Sequence, residues 1–213
     1  MSRKVCLLLL SFFSACSYGS DAHIAMDHAS HDMQNMIVER ETKDSQALSD
    51  LVDIRLEPRF VLESVNGSKT SENDFAGRYL LIGFGFTHCG HVCPTLLSNW
   101  ANAVSELSET QRENLQVIFI SLDPQRDTPA ITDEYSKQFD SDFIGLSGTP
   151  EQVAATAENF RISYVTVPLN GGNYKVDHTS ISYLVSPERE IAALIGFGTS
   201  PTEIAERIAA IIP

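Results

Sequence analysis

Residues 79–94, Tyr-Leu-Leu-Ile-Gly-Phe-Gly-Phe-Thr-His-Cys-Gly-His-Val-Cys-Pro, restrict the choice of fold more than any other stretch of this chain. The segment opens on an apolar run, Tyr79 to Phe86, too short to cross a membrane. Such a run reads as a strand buried on both faces, as in a parallel or mixed sheet. Cys89 and Cys93 follow, interleaved with His88 and His91. After Pro94, Leu96, Leu97, Trp100, Val104 and Leu107 recur at helical spacing. Proline suits a first helical turn, where its missing N–H would be unpaired anyway. The two cysteines therefore stand where a core strand gives way to a helix N-terminus, whose partial positive charge favours thiolate. A thiolate is both a nucleophile and a soft-metal ligand.

At 213 residues, 43% of them hydrophobic, the chain holds enough for one cored domain plus appendages. Its formal charge is -13, and no basic cluster follows Lys4, which argues against nucleic-acid binding. Residues 1–15 read as an export signal: Arg3 and Lys4 form the positive end and Val5 to Phe13 the apolar core. Phe13-Ser14-Ala15-Cys16 resembles a bacterial lipobox, with Phe13 where leucine is usual. On that reading Cys16 carries the lipid and the protein is periplasmic and membrane-tethered; cleavage a few residues later would leave it free. Cys6 departs with the signal, so Cys89 and Cys93 are the remaining cysteines besides Cys16. A close pair in an exported chain reads as functional, since a disulfide framework needs more cysteines, spread more widely.

Residues 16–50 read as a flexible tether. They contain His23, Met26, His28, His31, Met33 and Met36, which include every methionine except the initiator. Thioether and imidazole are copper ligands, so this tail is a candidate accessory copper site. A chance cluster in a polar tail is the alternative.

Arg59 to Val65, with the turn Asn66-Gly67, predicts a β-hairpin. Tyr79–Phe86, Leu115–Leu122 and Phe143–Leu146 predict strands, and a helix is expected over about 93–109. Thr128-Pro129, Thr149-Pro150 and Ser200-Pro201 each set a capping hydroxyl before a first-turn proline, with Gln152 and Glu203 placed to complete capping boxes. Asp127 is a further candidate cap. Tyr174–Val185 and Ile191–Phe197 predict an antiparallel pair around the turn 186–189. This order gives an α/β domain over residues 51–213: a thioredoxin-like, three-layer fold with a mixed central sheet and an N-terminal β-hairpin. In open sheets of this kind chemistry gathers at the carboxyl ends of the strands. Cys89 and Asp123 both fall there.

Cys89 and Cys93 are four residues apart, so both sulfurs can reach one side of the helix start. That spacing permits a disulfide and equally permits two thiolates on one metal ion. His178 is a candidate third ligand, since imidazole with two thiolates suits copper in either oxidation state. It also reads as a capping or core histidine. His88 and His91 are rivals for the same role. Asp123 reads either as a group hydrogen-bonded behind the ligands or as a turn residue.

Three separated motifs, in order, carry a resemblance. They are Phe86-Thr87-His88-Cys89 with Val92-Cys93-Pro94, Ile120-Ser121-Leu122-Asp123-Pro124 with Arg126-Asp127-Thr128-Pro129, and Val176-Asp177-His178-Thr179 with Tyr183-Leu184-Val185. Together they resemble the Sco/SenC copper chaperones across residues 56–213. The resemblance implies a thioredoxin-like fold and copper held by Cys89, Cys93 and His178, with Asp123 near the site. It also implies delivery of copper or electrons to the binuclear copper site of cytochrome c oxidase. Gly90-His91 departs from the Pro-Asp usual between the cysteines, and a signal replaces the usual membrane-spanning anchor. The expected partners are cytochrome c oxidase subunit II or another cuproprotein client, other copper chaperones, and the membrane through a lipid anchor. The competing function is a thiol–disulfide oxidoreductase, in which Cys89 attacks and Cys93 resolves. A peroxidase of the related peroxiredoxin type ranks lower, since no Pro-x-x-x-Thr-x-x-Cys arrangement precedes either cysteine.

Overall fold

The computed structural model describes residues 56–213. The expected signal, tether, Cys16 and His/Met tail lie outside the described residues. Strands β1 (Val61–Glu63) and β2 (Lys69–Ser71) form the expected antiparallel hairpin. Gly67 takes a left-handed φ of 69° in its turn, a conformation glycine adopts freely. The central strand β3 (Tyr79–Gly85) leads into helix α1 (Val92–Glu106), and a short helix α2 (Glu109–Glu113) follows. The chain continues through β4 (Leu115–Ser121), α3 (Pro129–Lys137), β5 (Ile144–Leu146) and α4 (Pro150–Asn159). Strands β6 (Tyr164–Pro168), β7 (Tyr174–His178), β8 (Ile181–Val185) and β9 (Ile191–Gly196) precede the last helix, α5 (Pro201–Ile211).

Five strands make the central sheet in the order β5-β4-β3-β8-β9. Strand β4 runs parallel to β3 and β5, whereas β8 runs antiparallel to β3 and β9, so the sheet is mixed. Side chains alternate across it, as the period of two requires. Leu80, Ile82 and Phe84 of β3 join Ile118 and Ile120 of β4 in one core, closed by Phe60 and Leu62 at the hairpin and Val153, Ala157 and Phe160 at α4. Leu81, Val117 and Phe119 enter the other core, closed by Leu97 and Trp100 of α1 and Ile204 and Ile208 of α5. Three layers result, as expected.

The helix expected over about 93–109 ends at Glu106, and two further features differ from the sequence expectation. Tyr174–Val185 is two strands rather than one, and the first pairs with the unexpected strand β6. Hairpin β6–β7 is a separate two-stranded sheet, with no hydrogen-bonded place in the central sheet. The break falls at Thr179-Ser180, where the Thr179 N–H donates to Ser163 O while Ser180 O accepts from Phe197 N–H. The chain changes sheets at that point. The second difference is at α5. Ser200 caps it, but the Glu203 carboxylate pairs with Arg207 at 2.6 Å instead of closing a box. Gln152 does close its box on Thr149.

Candidate metal and thiol centre

Strand β3 ends one residue before Phe86, and the loop Phe86–His91 then delivers Cys89 and Cys93 to the start of α1. Two glycines on one face of β3 make this approach possible. An added Cβ at Gly85 would lie 2.6 Å from Cys93 Sγ and 2.8 Å from the Phe119 ring, and one at Gly83 would collide with Trp100. Helix α1 thus packs on bare backbone, and the Cys93 sulfur fills what a side chain at position 85 would occupy. Cys93 is 1% exposed, whereas Cys89 is half-buried and contacts both cores.

The N-cap residue of α1, His91, makes no side-chain cap bond. Cys89 takes over that function: its sulfur accepts from the Cys93 backbone N–H at 3.5 Å. Both thiols are free. The Cys89 thiol is held at about 5, foremost because the Cys93 side chain donates to it, with help from the backbone N–H groups of Cys93, His91 and Val92. Partial burial opposes that shift. Cys93 is pushed far up, because it is the donor to Cys89 and because it is buried. One half-buried thiolate thus sits on one fully buried thiol, the asymmetry of a nucleophile and its resolving partner.

Asp127 anchors the loop from below. It is fully buried and accepts from the Thr87 N–H at 2.8 Å, the Thr87 hydroxyl at 2.6 Å and the Ser121 hydroxyl at 2.6 Å. It does not cap α3; the Thr128 hydroxyl accepts from the Ile131 N–H instead. His88 turns its ring toward this carboxylate, with Nδ1 3.5 Å from Asp127 Oδ1 and 3.1 Å from Thr87 Oγ1. His91 is exposed at the helix start.

His178 ends β7. Its Nδ1 lies 2.9 Å from the Thr179 carbonyl oxygen. A carbonyl only accepts, so Nδ1 is the donor in this contact and Nε2 is the ring nitrogen left to offer a lone pair to a metal. The ring meets Phe86 edge-to-face at 6.4 Å between centroids. Among the described residues no three His, Cys, Asp or Glu side chains are spaced to hold one metal ion. The thiols and the imidazole therefore stand as neighbours around Phe86 rather than as a closed cage.

Asp123 is 3% exposed at the carboxyl end of β4. Its carboxylate accepts from Arg126 Nε and, at 2.7 Å, from the Tyr174 hydroxyl. Arg126 and Tyr174 were not separate candidates in the sequence. Their signal was nonetheless there: Tyr174 precedes His178 by four positions and so shares its strand face. Two thiols and an imidazole form a donor set of soft and borderline character, which fits copper.

A model of the SCO1/SenC family matches residues 50–213. The human mitochondrial SCO1 homolog is 40% identical over 152 residues, which is 70% of this chain and 50% of that protein. The mitochondrial SCO1 homolog 1 of Arabidopsis thaliana is 35% identical over 137 residues, 64% of this chain and 41% of the relative. The chain thus spans about half the length, or less, of these curated relatives. Among solved structures, Arabidopsis thaliana ScoI with copper bound is similar at 30% identity with a TM-score of 0.67, covering 73% of this chain and 96% of that one. The match runs through the cysteine loop, the Asp123 turn and the His178 strand, and the chain belongs to the SCO1/SenC family.

Proposed function

We propose that this chain carries copper as cargo and passes it to a cuproprotein client, with Cys89, Cys93 and His178 as the ligands. The observation that carries this reading is that Phe86 has on one side an ionised, half-exposed Cys89 and on the other a histidine whose Nε2 is not used by the Thr179 carbonyl. Relatives of known structure hold copper. The family resemblance points to the binuclear copper site in subunit II of cytochrome c oxidase as the client. Transfer would proceed by ligand exchange, each client thiolate replacing one ligand, so affinity must be high enough to hold and the ligands exchangeable enough to release. Asp123 would act behind the ligands, through Arg126 and Tyr174. On the same reading residues 51–213 form the working domain, exported to the periplasm. Cys16 would carry the lipid anchor, and His23, Met26, His28, His31, Met33 and Met36 would gather copper in the tether.

The test is a titration of the reduced protein with Cu(I), counting ions bound by wild type and by Cys89→Ala, Cys93→Ala and His178→Ala. One tightly held ion in wild type, lost in each cysteine variant and weakened in His178→Ala, is expected. A wild type that binds no copper at sub-micromolar free metal would overturn the reading.

The inequality of the two thiols favours a second activity, reduction of a client disulfide. The Cys89 thiolate attacks one client sulfur and the other leaves as thiolate. Cys93 then attacks Cys89 and breaks its bond to the client sulfur, which leaves and takes up the Cys93 proton, so the client gains two electrons and this protein becomes the disulfide. His178→Ala separates the two readings, because thiol exchange should survive it.

A further inference from the structure

Hairpin β6–β7 carries His178 but has no ladder to the central sheet. Side chains on one face of β7 must therefore fix its position. Those are Tyr174, Val176 and His178, alternate residues on a single strand face. Val176 is buried in the core shared with Phe86. His178 meets the Phe86 ring. Tyr174 meets Arg126.

The Arg126 contact closes a ring of interactions. Its guanidinium lies over the Tyr174 ring at 3.6 Å, a partly buried cation–π contact. Its Nε donates to Asp123, and the Tyr174 hydroxyl donates to the other Asp123 oxygen. Its Nη1 donates at 3.0 Å both to the Asn173 side chain and to the Tyr174 carbonyl. One side chain from the end of β4 thus grips the hairpin by ring, backbone and turn together. The same guanidinium lies 5.9 Å from the Phe86 ring, whose edge-to-face partner is His178. Among the described residues, Arg126 Nη2 is buried with no acceptor.

We propose that Arg126 is a positioning residue: its Asp123–Arg126–Tyr174 latch sets where hairpin β6–β7 lies, and with it the reach of His178 toward Cys89 and Cys93. The role rests on the copper reading above for its functional consequence, but not for its structural content. The latch does not touch the sulfurs. It acts through the hairpin, and in parallel through Phe86, so its effect must pass through His178.

The test uses the full chain and two variants. Tyr174→Leu removes the stacked ring and the hydroxyl and leaves the Arg126–Asp123 pair. Arg126→Lys keeps the charge and loses the planar fork, so it also serves if Tyr174→Leu fails to fold. In the metal-free protein, amide hydrogen exchange over residues 164–178 should quicken about tenfold in either variant, the scale of one lost, partly buried cation–π contact with its hydrogen bond, while β3 and β4 amides hold their rates. Alkylation of Cys89 should stay within about twofold, since no contact to sulfur is removed. Release of Cu(I) to a chelator should quicken by about tenfold in Tyr174→Leu, and the same change in a His178→Ala background should do nothing further. Equal acceleration with and without His178, or unchanged exchange in the hairpin, would overturn the latch. A wild type that binds no copper would overturn the copper reading alone, and the exchange measurement would still decide whether the latch holds the hairpin.

Discussion

A sulfur that caps a helix in place of an oxygen is the smallest feature with a functional consequence here. Cys89 accepts from the N-terminus of α1 and from the Cys93 thiol, and both contacts stabilise its charged form. The expected outcome is a reactivity profile displaced to acid. The rate of Cys89 alkylation by iodoacetamide in the reduced, metal-free protein should be nearly flat from about pH 8 to 6, as the thiolate is already formed. It should fall to half near about 5, where the group protonates. An unperturbed thiol would already lose rate below about 8.5. Mass spectrometry of the alkylated peptides checks this, and Cys93 should remain unmodified throughout. A midpoint near that of a free thiol would refute the cap. The two cysteines were legible in the sequence because their spacing and the adjoining Pro94 are local signals. Asp127 was not, as an acidic residue before Thr128-Pro129 looks like a cap, and nothing local says that its carboxylate reaches back across the sheet edge to Thr87. A second prediction follows from that anchor. Asp127→Asn keeps the shape but loses the charge that three donors point at, and one amide group then faces donors with a donor. Charge-assisted hydrogen bonds contribute about 1.5–3 kcal/mol each, so thermal unfolding should show a loss of roughly 2–4 kcal/mol.

At the scale of elements, the strand–loop–helix unit depends on β3 having no side chains where α1 crosses it. Gly85→Ala would drive a Cβ against Cys93 Sγ and a fully buried Phe119 ring, neither of which is the loose end of a flexible chain. Overpacking of this kind costs about 1–3 kcal/mol, and calorimetric unfolding should register it. The same change should raise the Cys89 midpoint, because shifting Cys93 weakens its hydrogen bond to Cys89; an unchanged midpoint with lowered stability would mean the helix moves as one body. The hairpin β6–β7 shows why part of the site stayed hidden. Its strand β6 is almost wholly exposed, so Tyr164 to Pro168 lacks the buried alternation that marks a strand. Its partner β7 continues into β8 through residues with the same β preference, and only hydrogen bonding reveals the change of sheet. Sequence could single out His178 as a candidate, but not that the residue rides on a separate hairpin that Arg126 contacts.

On the scale of the whole molecule, the central sheet is closed by cores on both faces, and Cys89 touches both. Occupation of the site therefore bears on the stability of the complete domain rather than on one loop. A ligand that binds only the folded state stabilises it by RT ln(1 + [L]/Kd), about 2.7 kcal/mol at a free concentration one hundred times Kd. For a domain of this size each kcal/mol raises Tm by about 2–4 °C. Reduced protein with Cu(I) buffered at that level should thus melt roughly 5–10 °C higher than the metal-free form. If His178→Ala weakens binding one hundredfold, the same buffer sits at Kd and the gain falls to about 0.4 kcal/mol, a shift of roughly 1 °C. A chain beginning at Ser45 should keep the full wild-type shift, because the three proposed ligands all lie beyond it. A shift lost with residues 1–44 and indifferent to His178 would put the stabilising copper in the tether. The imidazole on β7 would then have no part in holding the metal.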